Sequence, residues 1–187
     1  MSSASDFAVA AQAVVASLNA AIVDPADAVR LLSSLAGFVA NTPTTSSVIG
    51  QAMATMQAAT GDMFRRAAVT ALARASAAYQ PSSADDAAAV RAVVCAAIDQ
   101  EIDVAGDQGE DATFNALRLL RAAVSQDLAK RGTALAEIAT ITTLQSIPAP
   151  VLAQRIYRDA SRADGLVTQA NPIHPAFMPT SFRALSK

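Results

Sequence analysis

The sequence has few chemically reactive side chains. Its 187 residues include one cysteine, one histidine and no tryptophan. A single cysteine excludes a disulfide within the chain, and one Cys with one His cannot fill a four-ligand zinc site. Cys95 falls in an apolar helical stretch, so we predict a small buried side chain rather than a nucleophile. No metal and no cofactor are expected.

Glycine is also scarce, and the seven that occur are scattered along the chain. They form neither a phosphate-binding loop nor a Gly-x-Ser-x-Gly nucleophile turn. The only histidine, His174, is flanked by Ile173 and Pro175 rather than by acids, which limits acid–base chemistry. We therefore predict no catalytic residues and a protein that is not an enzyme.

An acidic run between residues 99 and 111 superficially resembles a calcium-binding loop. Such a loop of 12 residues needs a glycine at its sixth position. Counted from Asp99, that position is Val104. The spacing favours a solvated helix end and linker over a cation site.

Long hydrophobic runs are absent as well, although apolar residues make up 52% of the chain and charged residues only 16%. Polar residues interrupt every stretch of about 18 residues, the length that a membrane-spanning helix needs. No basic segment precedes an apolar run, as it would in a secretory signal. We expect no membrane association and a soluble, intracellular protein.

The residue that the chain has in abundance is alanine, which occurs 46 times. Alanine has the highest helix propensity but buries little area, so helices built from it must pack closely. The predicted fold is all-α. A bundle of about five long Ala-rich helices over residues 1–132 is followed by a small helical module over residues 133–187.

Capping residues predict where the first two helices begin. The first helix is expected to start after Ser5 and to end near residue 23. Asp24 and Pro25 then supply an N-cap and a first helical residue for the second helix. Its apolar pattern continues through residues 38–41, so we predict that the helix includes them.

The same kind of signal divides the rest of the bundle. Thr42-Pro43 is predicted to open a third helix that reaches Tyr79, and we favour one long helix kinked near Gly61 over two separate helices. Ser83 is the predicted cap of the fourth helix. The fifth begins near residue 110 and is expected to terminate at Gly132.

Two sets of side chains in the third helix have open roles. Met53, Met56 and Met63 could form an adaptable binding stripe, although core filling is the commoner use of such residues. Arg65, Arg66 and Arg74 either pair with acids on adjacent helices or face a partner protein. The pattern favours core methionines and does not decide between the roles of the arginines.

The net charge of −2 is unevenly distributed. Residues 1–127 contain seven Arg and 13 acidic residues, whereas residues 128–187 contain seven Lys or Arg and three acidic residues. A surface that binds DNA needs clustered basic side chains, because each neutralised phosphate releases counterions. The basic residues of the tail are dispersed, so solvated helix faces are favoured and DNA contact remains the alternative.

The tail carries two short helices. The first is opened by Pro148 and Pro150, and the second follows a capping-box-like Ser161 and ends at Asn171. The pair looks like the helix pair of a LysM module, a recurrent module of phage tail proteins, with Ile141–Leu144 and Phe182–Leu185 as its two possible strands. This resemblance implies peptidoglycan binding as one alternative function.

A spaced pattern runs through the same segment: Leu152-Ala153, Ile156-Tyr157, Asp159-Ala160, Arg162-Ala163-Asp164, Leu166-Val167, Asn171 and His174-Pro175-x-Phe177-x-Pro179. It resembles the C-terminal end of the DNA circularisation protein family of Mu-like phages and prophages, whose members are counted among tail and baseplate proteins. The glycines that usually follow in the family are replaced by Thr180-Ser181-Phe182. The N-terminal domain of the family is not found, so we expect this chain to be the C-terminal part of a longer protein.

The resemblance implies a structural role in a phage or prophage tail-baseplate protein, through contacts with other tail and baseplate proteins. Self-association is left open, and DNA contact during genome circularisation is an alternative. The expected location is the bacterial cytoplasm during assembly and then the virion tail. His174 is predicted to hold its Pro-rich turn through hydrogen bonds to backbone, with a partner contact as the competing role. The candidate partner-contact residues are Tyr157, Arg158, Arg162, Asn171, His174 and Phe177.

Overall fold

A computed structural model describes residues 2–41 and 44–186, with side chains from Asp6 onward. The predicted cap at Thr42-Pro43 lies outside these residues. The chain is mainly α-helical, with 70% of it in helices, which confirms the coarse prediction. The elements are α1 (Ser2–Ala21), α2 (Pro25–Ala36), α3 (Val48–Ala78), α4 (Ala84–Asp107), α5 (Asp111–Thr133), β1 (Ile138–Thr142), α6 (Ala149–Tyr157), a 3-10 turn (Ala160–Arg162), α7 (Ala163–Ala170) and β2 (Ser181–Leu185).

The elements divide into two compact units. The helical unit comprises Met1–Gln80 and Ala88–Lys130, and the C-terminal unit comprises Pro81–Ala87 and Arg131–Lys187. Each unit has its own hydrophobic core. The largest fully buried apolar side chains of the helical unit are Leu32, Val69, Leu72, Val94, Ile98 and Leu128.

The second helix starts where its capping residues predict. The carboxylate of Asp24 accepts a hydrogen bond of 2.9 Å from a backbone N–H in the first turn of α2. The predicted C-terminal end is wrong, because Gly37 forms the C-cap and the helix stops before it. Phe38 and Val39 therefore lie outside the helix, and both are exposed.

The third helix is continuous from Val48 to Ala78, which confirms one long helix in this region, but its predicted start is wrong, because residues 44–47 are not helical and Ser47 is the N-cap. Gly61 is buried within it, where a Cβ atom would lie only 2.9 Å from the Cβ of Ala40. Glycine therefore allows residues 38–41 to pass close to the helix. Met53 lies in the N-terminal half of α3 and is exposed, as is Met56, so the prediction that these methionines fill the core is wrong.

Two other predicted helix boundaries are wrong. Helix α1 begins at Ser2, so Ser5 lies inside it, since no residue of this short Ser/Ala segment stops a helix. Helix α5 continues through Gly132 to Thr133. A Cβ atom at Gly132 would lie 3.0 Å from the Cβ of Ala87, so this glycine permits a close contact rather than terminating the helix.

A buried ion-pair network joins α3 to α4 and to the start of α5. The side chain of Glu101 is only 2% exposed, and its Oε1 accepts a hydrogen bond of 2.6 Å from Nε of Arg65. Its Oε2 lies 3.5 Å from Nε of Arg66. Asp62 also pairs with Arg65, and Glu110 with Arg66, each at 2.6 Å. Both arginines thus bind acids within the helical unit, which decides the role that the sequence left open for these two.

The network also determines the electrostatic state of Arg65. Burial by itself lowers the pKa of this guanidinium, but the hydrogen bonds that it donates to Glu101 and Asp62 outweigh that effect and raise the pKa above its ordinary value. The two acids therefore stabilise the charged form of Arg65. Gln108 closes the network, because it accepts from Arg66 at 2.7 Å and donates to Asp62 at 2.6 Å.

The C-terminal unit has the element order strand, helix, helix, strand. β1 and β2 pair antiparallel, with Ile138 opposite Leu185 and Thr142 opposite Ser181. The module is therefore not purely helical, and β1 starts earlier than the predicted Ile141–Leu144. Its core contains Ala149, Leu152, Ala153, Leu166, Met178, Phe182 and Ala184.

Residues 81–87 are tied to this unit by backbone contacts. The N–H of Ala84 donates to the carbonyl of Ala136 at 3.0 Å, and the carboxylate of Asp85 accepts from the N–H of Ile138 at 2.6 Å. Ser83 caps α4 as predicted, because its hydroxyl accepts the N–H of Asp86 at 3.1 Å. The start of α4 thereby anchors the first strand.

Candidate interaction surface of the C-terminal unit

Two loops of the C-terminal unit are joined by hydrogen bonds. The first loop, residues 143–148, connects β1 to α6, and the second loop, residues 171–180, connects α7 to β2. The N–H of Thr143 donates to the carbonyl of Thr180 at 2.7 Å, and the hydroxyl of Ser146 donates to the carbonyl of Met178 at 2.8 Å. We call this pair of loops the loop platform.

The start of α6 strengthens the loop platform. Pro148 is the N-cap residue and Pro150 lies in the first turn, as predicted. The N–H of Ala149 donates to the carbonyl of Pro175 at 2.9 Å. The first turn of a helix leaves N–H groups without partners inside the helix, and here the second loop supplies an acceptor for one of them.

His174 holds the turn in the second loop. Its Nδ1 accepts the N–H of Ala176 at 3.0 Å, and its carbonyl accepts the N–H of Phe177 at 2.9 Å. The prediction that a ring nitrogen of His174 bonds to backbone is thus confirmed. The rings of His174 and Phe177 lie 6.0 Å apart, so the turn brings these two candidate residues together.

The loop platform exposes large apolar side chains. Leu144 on the first loop and Ile173 on the second are fully exposed, and Phe177 is 71% exposed. Apolar side chains on loops that are held by several hydrogen bonds are typical of recognition sites on a rigid scaffold. The sequence reasoning missed Leu144, which it assigned to a strand, and Ile173, which it treated only as a neighbour of His174.

Tyr157 and Arg162 form a second pair of candidate residues. The guanidinium carbon of Arg162 lies 3.9 Å from the centre of the Tyr157 ring, and the Tyr157 hydroxyl donates to the carbonyl of Leu185 at 2.9 Å. Burial raises the pKa of Tyr157, and the nearby charge of Arg162 only partly offsets that effect. This pair fastens the end of α6 to β2.

Arg158 and Asn171 have backbone roles. Both adopt the left-handed conformation, with φ of 57° and 43°, and each is the C-cap of a short helix. Asn171 ends α7 as predicted. Both side chains are exposed. The structure gives each residue a role in ending a helix through its backbone conformation.

The predicted capping box of α7 is wrong. The capping residue is Asp159 rather than Ser161. The carboxylate of Asp159 accepts hydrogen bonds from the backbone N–H of Ser161 at 2.9 Å and from the hydroxyl of Ser161 at 2.7 Å. These hydrogen bonds lower the pKa of Asp159 below its ordinary value. An Asx-type turn therefore separates α6 from α7.

A groove of about 560 Å³ lies on another part of the same unit. Hydroxyl and amide groups of Ser82, Thr168 and Gln169 line it, together with Arg183 of β2. Gly165 adds an open stretch of backbone, since nothing lies within 4 Å of where its Cβ would be. Ile138, Ala184 and Leu185 complete the lining, most of which is apolar, so the groove suits a ligand that offers both apolar faces and hydrogen-bonding groups.

The basic residues of the tail do not dominate this unit. With residues 81–87 included, it contains six Lys or Arg and five Asp or Glu residues. Among the described residues, no group of three or more His, Cys, Asp or Glu side chains is arranged to hold a metal ion. None of the described helices combines the length and apolar character needed to cross a membrane.

No family model matches the sequence, and a search of curated proteins finds no match.

Proposed function

We propose that this chain is an assembly domain that binds another protein through the loop platform of its C-terminal unit. The observation that carries the proposal is the full exposure of Leu144 and Ile173 on two loops joined by hydrogen bonds. A surface that is ordered before binding loses little conformational entropy when its partner docks. Phe177 adds the kind of large aromatic side chain that concentrates binding energy at interfaces.

The partner we propose is a tail or baseplate protein of a phage or prophage, in the virion tail after assembly in the bacterial cytoplasm. Support comes from the resemblance of residues 152–179 to the DNA circularisation family, whose His-Pro-x-Phe-x-Pro segment falls on the second loop. The charge balance of the unit supports protein contact over DNA contact, since six basic and five acidic residues leave little net positive charge to attract DNA phosphates.

The test measures, by calorimetry, binding of the full chain to the purified products of the genes that flank its own. We expect one of them to bind, and the double variant Ile173→Ser, Phe177→Ser to weaken that binding by about 10-fold or more. Val23→Ser is the matched control, because Val23 is an equally exposed apolar residue of the helical unit. Equal weakening by the control, or no binding by any of these proteins, would contradict the proposal.

A second candidate function is peptidoglycan binding. Two observations favour it: the strand, helix, helix, strand order that LysM modules share, and the groove that combines apolar lining with hydroxyl and amide groups. Polar side chains that line a shallow groove can hydrogen-bond sugar hydroxyls. In this case the bound ligand would be a glycan strand of the cell wall rather than a virion protein.

A pull-down of the full chain with insoluble peptidoglycan tests the second candidate. Retention that is lost with Arg183→Ala, which alters the groove, and kept with Arg155→Ala, an exposed arginine of α6 outside the groove lining, would support it. If the chain stays in the supernatant, peptidoglycan binding is contradicted, whereas the protein-binding proposal is not affected.

A further inference from the structure

The N-terminal half of α3 is an uncharged and exposed stretch of helix. Residues 48–60 are exposed apart from Gly50, Ala54 and Thr60, which are half-buried. The whole span from residue 31 to residue 61 contains no Asp, Glu, Lys, Arg or His. A solvated helix face normally carries charged side chains, so this stretch is unlike a surface adapted to water. We call residues 48–60 the α3 arm.

The apolar side chains of the α3 arm form a stripe. Ile49, Met53 and Met56 follow one another at spacings of four and three residues, which places them on one face of the helix, and the half-buried Thr60 ends that face. This is the spacing with which helices interlock in two-helix pairs. The stripe ends at Gly61, where α3 becomes buried in the core of the helical unit.

A groove of about 530 Å³ lies beside the stripe. Phe38 and Asn41 line one side of it, and Met53, Met56 and Phe64 line the helix side. Apart from Asn41, these are adaptable or aromatic apolar groups that can receive inserted side chains. The arm and the groove therefore provide both projecting side chains and a recess that fits them.

The exposed apolar area is large enough for a stable interface. The exposed fractions are 47% for Phe38, 82% for Val39 and Val48, 75% for Ile49, 55% for Met53 and 72% for Met56. Together these six residues expose roughly 800 Å², so an interface that covered all of them would match what each partner contributes to an interface of standard size.

We propose that the α3 arm is a homodimerisation surface, packed against the same arm of a second copy of this chain. A partner of different sequence is usually selected by complementary charges, and this surface offers none. A second copy meets an equally uncharged surface, so no like charges oppose each other and no charge is buried without a partner. A two-fold pairing of identical patches also closes on itself and leaves no patch exposed.

Sedimentation velocity of the full chain, from about 1 to 100 μM, tests the proposal. We expect a species of twice the 19.1 kDa mass of one chain. The dimer should persist when salt is raised to about 0.5 M, because no ion pair contributes to it. A chain that remains monomeric over this range overturns the proposal. If such a monomer binds lipid vesicles through the arm, the arm is a membrane-binding surface and not a dimer interface.

Variants then locate the interface. Met56→Glu puts two like charges into the paired arms, so we expect the dissociation constant to rise by about 100-fold or more, whereas Met56→Leu should leave it nearly unchanged. Leu119→Glu is the matched control, since Leu119 is an exposed apolar residue of α5 in the same unit. Unchanged far-UV circular dichroism verifies that each variant is folded. A dimer that survives Met56→Glu, or that Leu119→Glu disrupts equally, overturns the proposal.

The arm and the loop platform belong to different units, so the two proposals fail independently. Loss of the dimer with Met56→Glu leaves the apolar side chains of the loop platform in place.

Discussion

Replacing Glu101 by glutamine removes a charge from the most buried ion-pair network among the described residues. The side chain of Glu101 is 2% exposed, and those of Arg65 and Arg66 are 17% and 23% exposed. The amide introduced by Glu101→Gln would keep the shape of the side chain but would place an NH₂ group near Nε of one arginine, where a carboxylate oxygen now lies. Two guanidinium groups would then share a buried site without their common counter-ion.

The expected loss follows from what each arginine retains. Breaking a buried ion pair costs about 3–5 kcal/mol when the remaining charge has no other partner. Arg65 keeps Asp62 at 2.6 Å, and Arg66 keeps Glu110 at 2.6 Å. We therefore expect Glu101→Gln to reduce the free energy of unfolding by about 2–3 kcal/mol, below that range.

Urea unfolding followed by far-UV circular dichroism measures this loss. If two transitions are resolved, the one belonging to the helical unit should shift. Asp99→Asn is the control on the same helix, because Asp99 pairs with Arg121 where both side chains are nearly half exposed, and solvent screening leaves such a pair little energy. A loss of less than about 1 kcal/mol for Glu101→Gln, or a loss equal to that of the control, would refute the reasoning.

Three further predictions concern local contacts. Asp24→Ala should destabilise the helical unit by about 1 kcal/mol, measured by urea unfolding, whereas Asp24→Asn keeps an acceptor and should change little. Tyr157→Phe should cost the C-terminal unit about 1 kcal/mol, because the carbonyl of Leu185 loses its donor; an unchanged midpoint would show that water replaces the hydroxyl. Titration of Asp159 by carbon NMR should give a pKa below the ordinary 3.8, since Ser161 donates to the ionised carboxylate. That stabilisation is present above the unfolded-state pKa and is lost as the pH falls through the lower folded-state pKa; a midpoint at or above 3.8 would contradict it.

Features that depend on a few neighbouring residues could be predicted. The abundance of alanine indicated a mainly helical chain, and Asp24 and Ser83 were recognised as N-caps because each bonds to an N–H within three residues of itself. The turn held by His174 belongs to the same class, since its Nδ1 accepts the backbone N–H of Ala176, two residues later in the chain. The strand positions were approximate, because neither strand forms without the other.

Features that depend on which helices meet could not be predicted. Glu101 pairs with a residue 36 positions earlier in the chain, and its acidic neighbours Asp99 and Asp103 look equally suitable in the sequence. Of these three carboxylates only that of Glu101 is buried, and burial depends on how the helices pack. The exposure of Met56 was missed because it too depends on which helices pack together. Methionine by itself is not informative, since it occurs both in cores and at binding surfaces.

The amino-acid sequence by itself determined the mainly helical character, the N-caps at Asp24 and Ser83 and the scarcity of reactive groups, because these depend on composition and on bonds between near neighbours. Only the tertiary structure decided that Gly132 permits a close contact with Ala87 instead of ending α5, and that Ile173 and the α3 arm face solvent. The physical reason is that burial is a property of the packed chain. The same apolar residue stabilises a core or forms a binding surface according to what lies against it.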